Sequence, residues 1–431
     1  MGVGDAFLVP LAYAGAYFIR FGAISLFKVH FSPVFLLMMT AGYLAVFYFF
    51  DLYALYRKTR ARTLAARIAL AVVASAFIAS ILKYIFFLYP IGRGVLVIAN
   101  TMLVVLIFIW RKAGIAVFRL IGKPSPVLIV GKGKGADEIA DIIRTDPGDY
   151  QIIGISAGER LADVLESGDI KIIVMTDSAG AGSLSAEEIL LAHHRAVEVI
   201  DVSEMYQRLK FRIPIDYIKD ESCFLKTKGF SLANNNLVGK IKRAFDVALA
   251  GILFVVGLPL WPIIALLIKI ESRGPVFYRQ RRVGKNGVGF LLHKFRSMVE
   301  NAEDEKAVWA REDDQRVTRI GRILRALHLD ELPQLWNVLR GEMSLVGPRP
   351  ERPEFVAGLQ RDIPFYTLRH FVKPGLTGWA QINYPYAAST KDSKEKLEFD
   401  LYYISRMSLI FDLKILIETL AGVFSSRRRE N

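Results

Sequence analysis

The 431-residue sequence predicts a four-span membrane α-helical bundle, then an α/β Rossmann-like domain, then a mainly α domain anchored by a re-entrant membrane helix. Three observations carry this reading. Four apolar segments fall within the first 120 residues, strand-like and helix-like runs alternate over 124–230, and a fifth apolar segment holds two central prolines between basic flanks. The predicted domains are 1–123, 124–236 and 237–431. Composition agrees, with 53% hydrophobic residues against 23% charged, which excludes disorder over most of the length. A formal net charge of +14 suits basic cytoplasmic faces of a membrane protein or a nucleic-acid binder. The apolar excess favours the membrane, so a lipid bilayer and no nucleic acid is expected. A single cysteine, Cys223, excludes an intramolecular disulfide and a cysteine-based zinc site.

The four segments are Ala6–Ala23, Ser32–Phe50, Leu64–Phe87 and Val95–Trp110. Each is close to the ~20 apolar residues that cross a bilayer as a helix. The first lacks the basic start and small-residue cleavage site of a signal peptide. It begins almost at Met1, which leaves a longer native N-terminus as an open expectation. The second loop carries Arg57, Lys58, Arg60, Arg62 and Arg67, and the stretch after the fourth segment carries Arg111, Lys112, Arg119 and Lys123. The first and third loops are poorer, with Arg20 and Lys28, and Lys83 and Arg93. The positive-inside rule puts the second loop, the N-terminus and everything after the fourth span in the cytoplasm.

Strand-like runs at Val127–Val130, Gln151–Ile155, Ile170–Met175 and Val197–Val202 alternate with helical Ala136–Arg144 and Ala186–His194, which argues for a doubly wound parallel sheet. Gly131-Lys-Gly133-Lys-Gly135-Ala136 fits a dinucleotide fingerprint with Ala136 in the third glycine position. Against a dinucleotide, the second strand runs out at Ser156-Ala157-Gly158 with Glu159 a poor ribose ligand, and the domain is short of six strands. No cofactor is therefore assigned here, and the domain is read as structural or regulatory. Tyr206 and Lys210 have dehydrogenase-like spacing but are read as surface, and His193-His194 as a solvated helix end.

The fifth segment, Val247–Ile270, follows Lys240, Lys242 and Arg243 and carries Lys269 at its end, with Arg273, Arg279, Arg281 and Arg282 beyond. Basic residues on both sides give neither flank a reason to cross. Pro259 and Pro262 each remove a backbone donor. Two half-helices returning to the cytoplasm satisfy both facts better than a kinked span. The acidic runs Glu300–Glu305 and Glu312–Asp314 are read as solvated, and Asp313-Asp314 not as a metal motif. Asp330-Glu331 precedes a predicted helix, Leu332–Leu339. Helix-start carboxylates are favoured by the macrodipole, but Arg322, Arg325, Arg340, Arg349 and Arg352 gather around this pair in sequence. Arginines grip phosphate bidentately. A carboxylate set among them stays ionised and can attack phosphorus. Gly347-Pro348-Arg349-Pro350 is a rigid turn that holds one arginine.

Residues 239–424 resemble the polyprenyl-phosphate glycosyl-1-phosphate transferases, the bacterial sugar transferase family. The resemblance rests on Lys242-Arg243-Ala-Phe-Asp246, Lys294-Phe-Arg296-Ser297-Met298, Leu329-Asp330-Glu331-Leu332-Pro333-Gln334, Ser344-Leu-Val-Gly-Pro-Arg349-Pro350, Lys373-Pro-Gly-Leu-Thr-Gly-Trp379-Ala-Gln381-Ile-Asn383 and Asp400-Leu-Tyr402-Tyr403. The N-terminal part resembles the large branch of the family, and Asn383–Ser389 resembles an exopolysaccharide subgroup. The resemblance implies transfer of a sugar 1-phosphate from a UDP-sugar to undecaprenyl phosphate with release of UMP, requiring Mg2+, on the cytoplasmic face of the bacterial inner membrane. By position Asp330 is the nucleophile, and Glu331 places the metal or relays a proton, so both are the expected metal ligands. Arg325 and Arg349 hold phosphates, Lys294 and Arg296 are basic site residues, and Gln381 is carried as substrate-binding. A homodimer is carried as the expected assembly. The chain departs from many relatives at Leu258-Pro259, where they have Ser-Pro. The rivals are a membrane-bound NAD-dependent nucleotide-sugar dehydratase and a non-catalytic polysaccharide-assembly scaffold.

Overall fold

A computed structural model describes residues 1–22, 33–50, 52–53, 61–86, 92–121, 124–146, 148–156, 170–176, 186–218, 236–299, 316–384 and 389–424. Lys28, Arg57, Lys58, Arg60, Lys123, Glu159, Cys223, the acidic runs 300–305 and 312–314, and residues 385–388 lie outside them. The fold is mostly helical and divides into two compact units, one holding Met1–Val127, Ile143–Ile153 and, at the end of the last helix, 420–424, the other Leu128–Ile142 and Gly154–Thr419. The boundary runs through the first two strands of a small sheet.

The first unit packs four helices: α1 (Gly2–Phe21), α2 (Pro33–Phe49), α3 (Ala61–Phe86) and α4 (Arg93–Ile121). Ala12, Ala16, Ala71 and Ala99 are fully buried between them, and such small residues let helices approach closely. Phe7, Leu11, Phe18, Val105 and Ile109 face outward. Inside, Tyr13 and Tyr43 share a hydroxyl hydrogen bond of 2.9 Å, and Tyr43 donates to Asn100 at 2.8 Å. Arg111 meets Asp5 through two hydrogen bonds of 3.0 and 2.5 Å, both side chains buried. Buried polar groups in an apolar bundle are paired for this reason. Gly2–Phe21 and Arg93–Val117 are long and apolar enough to cross a membrane, while the apolar stretches of α2 and α3, Leu36–Phe49 and Leu64–Ser80, are shorter.

The second unit begins within a four-stranded sheet of order β2-β1-β3-β4, made of β1 (Ser125–Val130), β2 (Tyr150–Ser156), β3 (Ile172–Met175) and β4 (Glu198–Asp201). β3 and β4 pair in parallel, Ile172 opposite Glu198. Helix α5 (Lys134–Thr145) follows β1, and α6 (Ala186–His194) follows β3. The last strand stops one residue short of its expected end because Asp201 caps α7 (Val202–Lys210), accepting from Glu204 N at 2.6 Å. His193 and His194 are exposed at the end of α6, as expected. Tyr206 corrects the surface reading: it is buried, its hydroxyl bonded to Arg212 and its ring against Tyr217.

The fifth apolar segment forms α8 (Asn236–Gly257) and α9 (Leu260–Glu271), bent by 59°. Pro259 sits at the break. Pro262 lies in the first turn of α9, where a missing N–H is harmless. The freed Leu258 carbonyl accepts from Trp261 N at 3.1 Å. Beyond come the antiparallel hairpin β5 (Phe277–Val283) and β6 (Gly289–Phe295), then α10 (Arg319–Ala326) and α11 (Gln334–Arg340). A short parallel pair, β7 (Ser344–Val346) and β8 (Gly375–Thr377), is interleaved with α12 (Pro353–Asp362) and followed by α13 (Trp379–Asn383), α14 (Thr390–Ser405) and α15 (Leu409–Phe424). Their core gathers Leu335, Val338, Leu345, Trp379, Leu401 and Tyr403. Ile213 and Ile215 belong to the same core. Trp379 Nε1 donates to Phe211 O at 2.9 Å, and Ile213 N to Glu398 O at 3.1 Å.

Candidate active site

The site assembles where β6, α10, α11 and the Gly347–Pro350 turn converge. Lys294 lies on β6 opposite Tyr278. Asn337, fully buried on α11, fixes that strand: its Oδ1 accepts from His293 N at 3.1 Å and its Nδ2 donates to Leu291 O at 2.7 Å. Thr318 caps α10 through Gly321 N at 2.9 Å. A β-carbon on Gly321 would lie 2.0 Å from Ser297 O, so only glycine lets α10 pack there. His328 (φ 55°) turns the chain through a left-handed residue into the 3-10 turn Leu329–Glu331, which presents the acidic pair just before α11.

Glu331 is clamped. Lys294 Nζ and Arg349 Nη2 both donate to its Oε1, at 2.8 and 2.9 Å. Asp330 is buried yet makes no hydrogen bond or ion pair among the described residues. Burial pushes the Asp330 carboxyl above its ordinary value, with Lys294, Arg325 and Arg349 pulling it back. Glu331 is held well below the carboxylate range by Lys294 and Arg349 despite its burial. Burial lowers Lys294, and Glu331 raises Arg349. Adjacent carboxyls pushed in opposite directions are a signature of divided chemical roles.

Arg349 is positioned from behind. Arg369 donates to the Arg349 carbonyl at 3.0 Å while paired with buried Asp400 at 2.9 Å. Gly347 N donates to Thr377 O and Gly375 N to Pro348 O, both at 2.9 Å. A β-carbon on Gly347 would sit 2.5 Å from Lys373 O, so the turn can lie on β8 only with glycine.

The sequence-derived set divides. Lys294 and Arg349 contact Glu331 directly, and Arg325, whose Nε donates to Ser297 Oγ at 2.9 Å, acts on Asp330 through its charge. Arg296 is directed elsewhere: its guanidinium donates to Arg273 O, Ser272 O and Ser272 Oγ at 2.8–2.9 Å, closing the end of α9. Gln381 donates to Leu376 O at 3.2 Å and braces the backbone beside β8. Asn337, Ser297 and Arg369 were not singled out from the sequence. Their only signal was presence in or beside the conspicuous motifs, because their partners are remote in the chain.

No group of three His, Cys, Asp or Glu side chains that could hold a metal occurs among the described residues. Asp330 and Glu331 fit another mode, since Mg2+ is usually held by one or two carboxylates plus substrate phosphates. Both cations on Glu331 occupy Oε1, so its Oε2 and the Asp330 carboxylate are the oxygens that would bind such an ion.

A helical domain entered through a bent apolar helix pair, with an Asp-Glu pair ringed by cations, points to a membrane-associated class of protein. The bacterial sugar transferase profile matches residues 237–426, and the chain belongs to that family. It is 41% identical over 249 residues to the UDP-N-acetylgalactosamine-undecaprenyl-phosphate N-acetylgalactosaminephosphotransferase of Aeromonas hydrophila, covering 58% of this chain and 57% of that one. It is 45% identical over 189 residues to the UDP-glucose:undecaprenyl-phosphate glucose-1-phosphate transferase of Escherichia coli K12, covering 43% and 41%. The protein of the same description from Caulobacter vibrioides is 41% identical over 187 residues, covering 43% of this chain and 70% of that one. The chain thus spans about half the length of the first two relatives.

Proposed function

We propose that the chain transfers a sugar 1-phosphate from a UDP-sugar to undecaprenyl phosphate, releasing UMP, through a covalent phosphosugar on Asp330. The observation that carries this is a buried carboxylate with no hydrogen bond among the described residues, beside a clamped Glu331 and within the field of Lys294, Arg325 and Arg349. An oxygen of Asp330 attacks the sugar-linked phosphorus. The bond from that phosphorus to the bridging oxygen breaks, and UMP leaves with the electron pair. An oxygen of undecaprenyl phosphate then attacks the same phosphorus and frees Asp330. Glu331 holds Lys294 and Arg349 where donor phosphates would lie, and these cations meet charge developing on the leaving phosphate. Bound Mg2+ would neutralise part of the diphosphate charge.

The bent α8–α9 pair is read as re-entrant. Taken with four N-terminal spans and the basic second loop, it supports a site on the cytoplasmic face of the inner membrane, where a long lipid phosphate and a soluble nucleotide sugar can meet. The sheet region is read as a Rossmann-like domain of the large branch of the family, and the product as the first lipid-linked intermediate of exopolysaccharide synthesis. The relatives named for UDP-N-acetylgalactosamine and UDP-glucose set the first donors to try. UMP release from a UDP-sugar panel, with undecaprenyl phosphate and Mg2+, tests the reading. Turnover with at least one sugar, abolished by Asp330→Asn, is expected; silence with every sugar contradicts it.

A further inference from the structure

The sheet carries groups that transfer chemistry does not use. β1 ends at Val130 and runs into Gly131-Lys132-Gly133, and α5 opens at Lys134. Gly131 (φ 108°) and Gly133 (φ 114°) both hold backbone that a β-carbon disfavours. The first helical bond runs from Asp137 N to Gly133 O, so the N–H groups of Lys134, Gly135 and Ala136 precede the helical ladder. In the order β2-β1-β3-β4 the chain leaves β1 toward one side and β3 toward the other. The glycine turn therefore sits at the switch point, where open α/β sheets form a ligand crevice.

A second, independent observation points into that crevice. Right-handed crossovers place α5 and α6 on opposite faces of the sheet. α6 packs through Ala192 on the face of Leu128, Val130 and Ile173. The α5 face is then that of Ile172 and Val174 and, by two-residue alternation, of Thr176. Thr176 N donates to Val130 O at 3.0 Å, which fixes the residue beside the turn. Its side chain is 5% exposed, and its hydroxyl has no hydrogen-bond partner among the described residues. A buried hydroxyl without a partner is costly, and a bound acceptor would relieve it. A β-carbon on Gly135 would lie 3.2 Å from Val202 and 3.4 Å from Tyr217, so these side chains wall the helix start. Lys132 and Lys134 are exposed on the turn. Of the acidic groups on the first turn, Asp137 is exposed, and Glu138 accepts from Tyr217 at 2.5 Å.

We propose that the Gly131–Ala136 turn and the Thr176 hydroxyl form an anion site for the phosphate or diphosphate group of a small ligand, separate from the Asp330 site. Helix-start N–H groups and their dipole supply the attraction, and the hydroxyl supplies one further donor. Amide hydrogen exchange on the full-length protein, in detergent without Mg2+, tests it with inorganic pyrophosphate, UDP and NADH in turn. At least one is expected to slow exchange several-fold in peptides covering 131–137. Thr176→Val, which keeps the shape, should abolish that slowing, and Thr176→Ser should restore it, with UMP release unchanged in both. Protection by pyrophosphate assigns the site to a free anion, and protection by UDP or NADH alone assigns it to a nucleotide. The proposal is overturned by no protection with any probe, by protection confined to 325–350, or by protection that survives Thr176→Val.

Discussion

Asp330 and Glu331 are neighbours in the chain but differ in what faces them. Two cations converge on Glu331, whereas Asp330 has the field of three cations and, among the described residues, the contact of none. If Asp330 attacks as the carboxylate, the acid limb of kcat/KM lies above the ordinary carboxylate value of about 4. A limb at or below that value contradicts the assignment. Its raised pKa also means that the folded state holds this proton more tightly than the unfolded chain. Folding stability then falls as pH rises from the unfolded value through the folded one. Asp330→Asn removes that penalty, so at neutral pH the variant should melt no lower than the wild type while turnover drops by about three orders of magnitude or more. Lys294 is the strongest of the charges that lower Asp330. Lys294→Met should cost about two orders of magnitude in kcat/KM and move the acid limb to higher pH, and a loss of rate with an unmoved limb would make Lys294 a structural support only.

Among the elements, the helices were legible because length and apolarity are local properties, and the break because proline acts on its own backbone. The acidic pair was legible for the same reason. The division of labour among the surrounding cations was not. Arg296 and Arg349 look alike in sequence, yet one closes the end of α9 and the other clamps Glu331. The motif Lys242–Asp246 gave no role until folded. There Arg243 donates to Val338 O and Leu339 O at the end of α11, at 2.5 and 2.8 Å. Asp246 accepts from Ser344 Oγ at 2.8 Å, and Lys242 reaches Asp412 at 2.5 Å. The first half of the bent pair is thereby tied to the frame of the site. If that pair re-enters on one face, cysteines placed singly at 240 and 275 in a Cys223→Ser background should both be shielded from an impermeant thiol reagent in intact cells. Labelling of either one from outside would rule out re-entry.

At the scale of the molecule, the candidate Asp330 site and the C-terminal core lie within the second unit. The segment Phe211–Ile218 is part of that core although it precedes residue 237: Arg212 pairs with Glu395 and Glu398 at 2.9 and 3.3 Å. A fragment of residues 237–431 should retain some turnover. It should also be less stable than one of residues 205–431, because burying Ile213 and Ile215 contributes about 1.5–3 kcal/mol each. Equal melting temperatures would show that the segment adds nothing. In the proposed mechanism one site serves a soluble donor and a lipid acceptor in turn, through a covalent halfway state that gives ping-pong kinetics. The most direct measurement omits the lipid. Wild-type enzyme, Mg2+ and a UDP-sugar labelled in the sugar should give a burst of UMP stoichiometric with enzyme and label bound to the protein at Asp330, with neither in Asp330→Asn. UMP that appears only when undecaprenyl phosphate is present, with no labelled enzyme trapped, would contradict the covalent account and establish direct transfer.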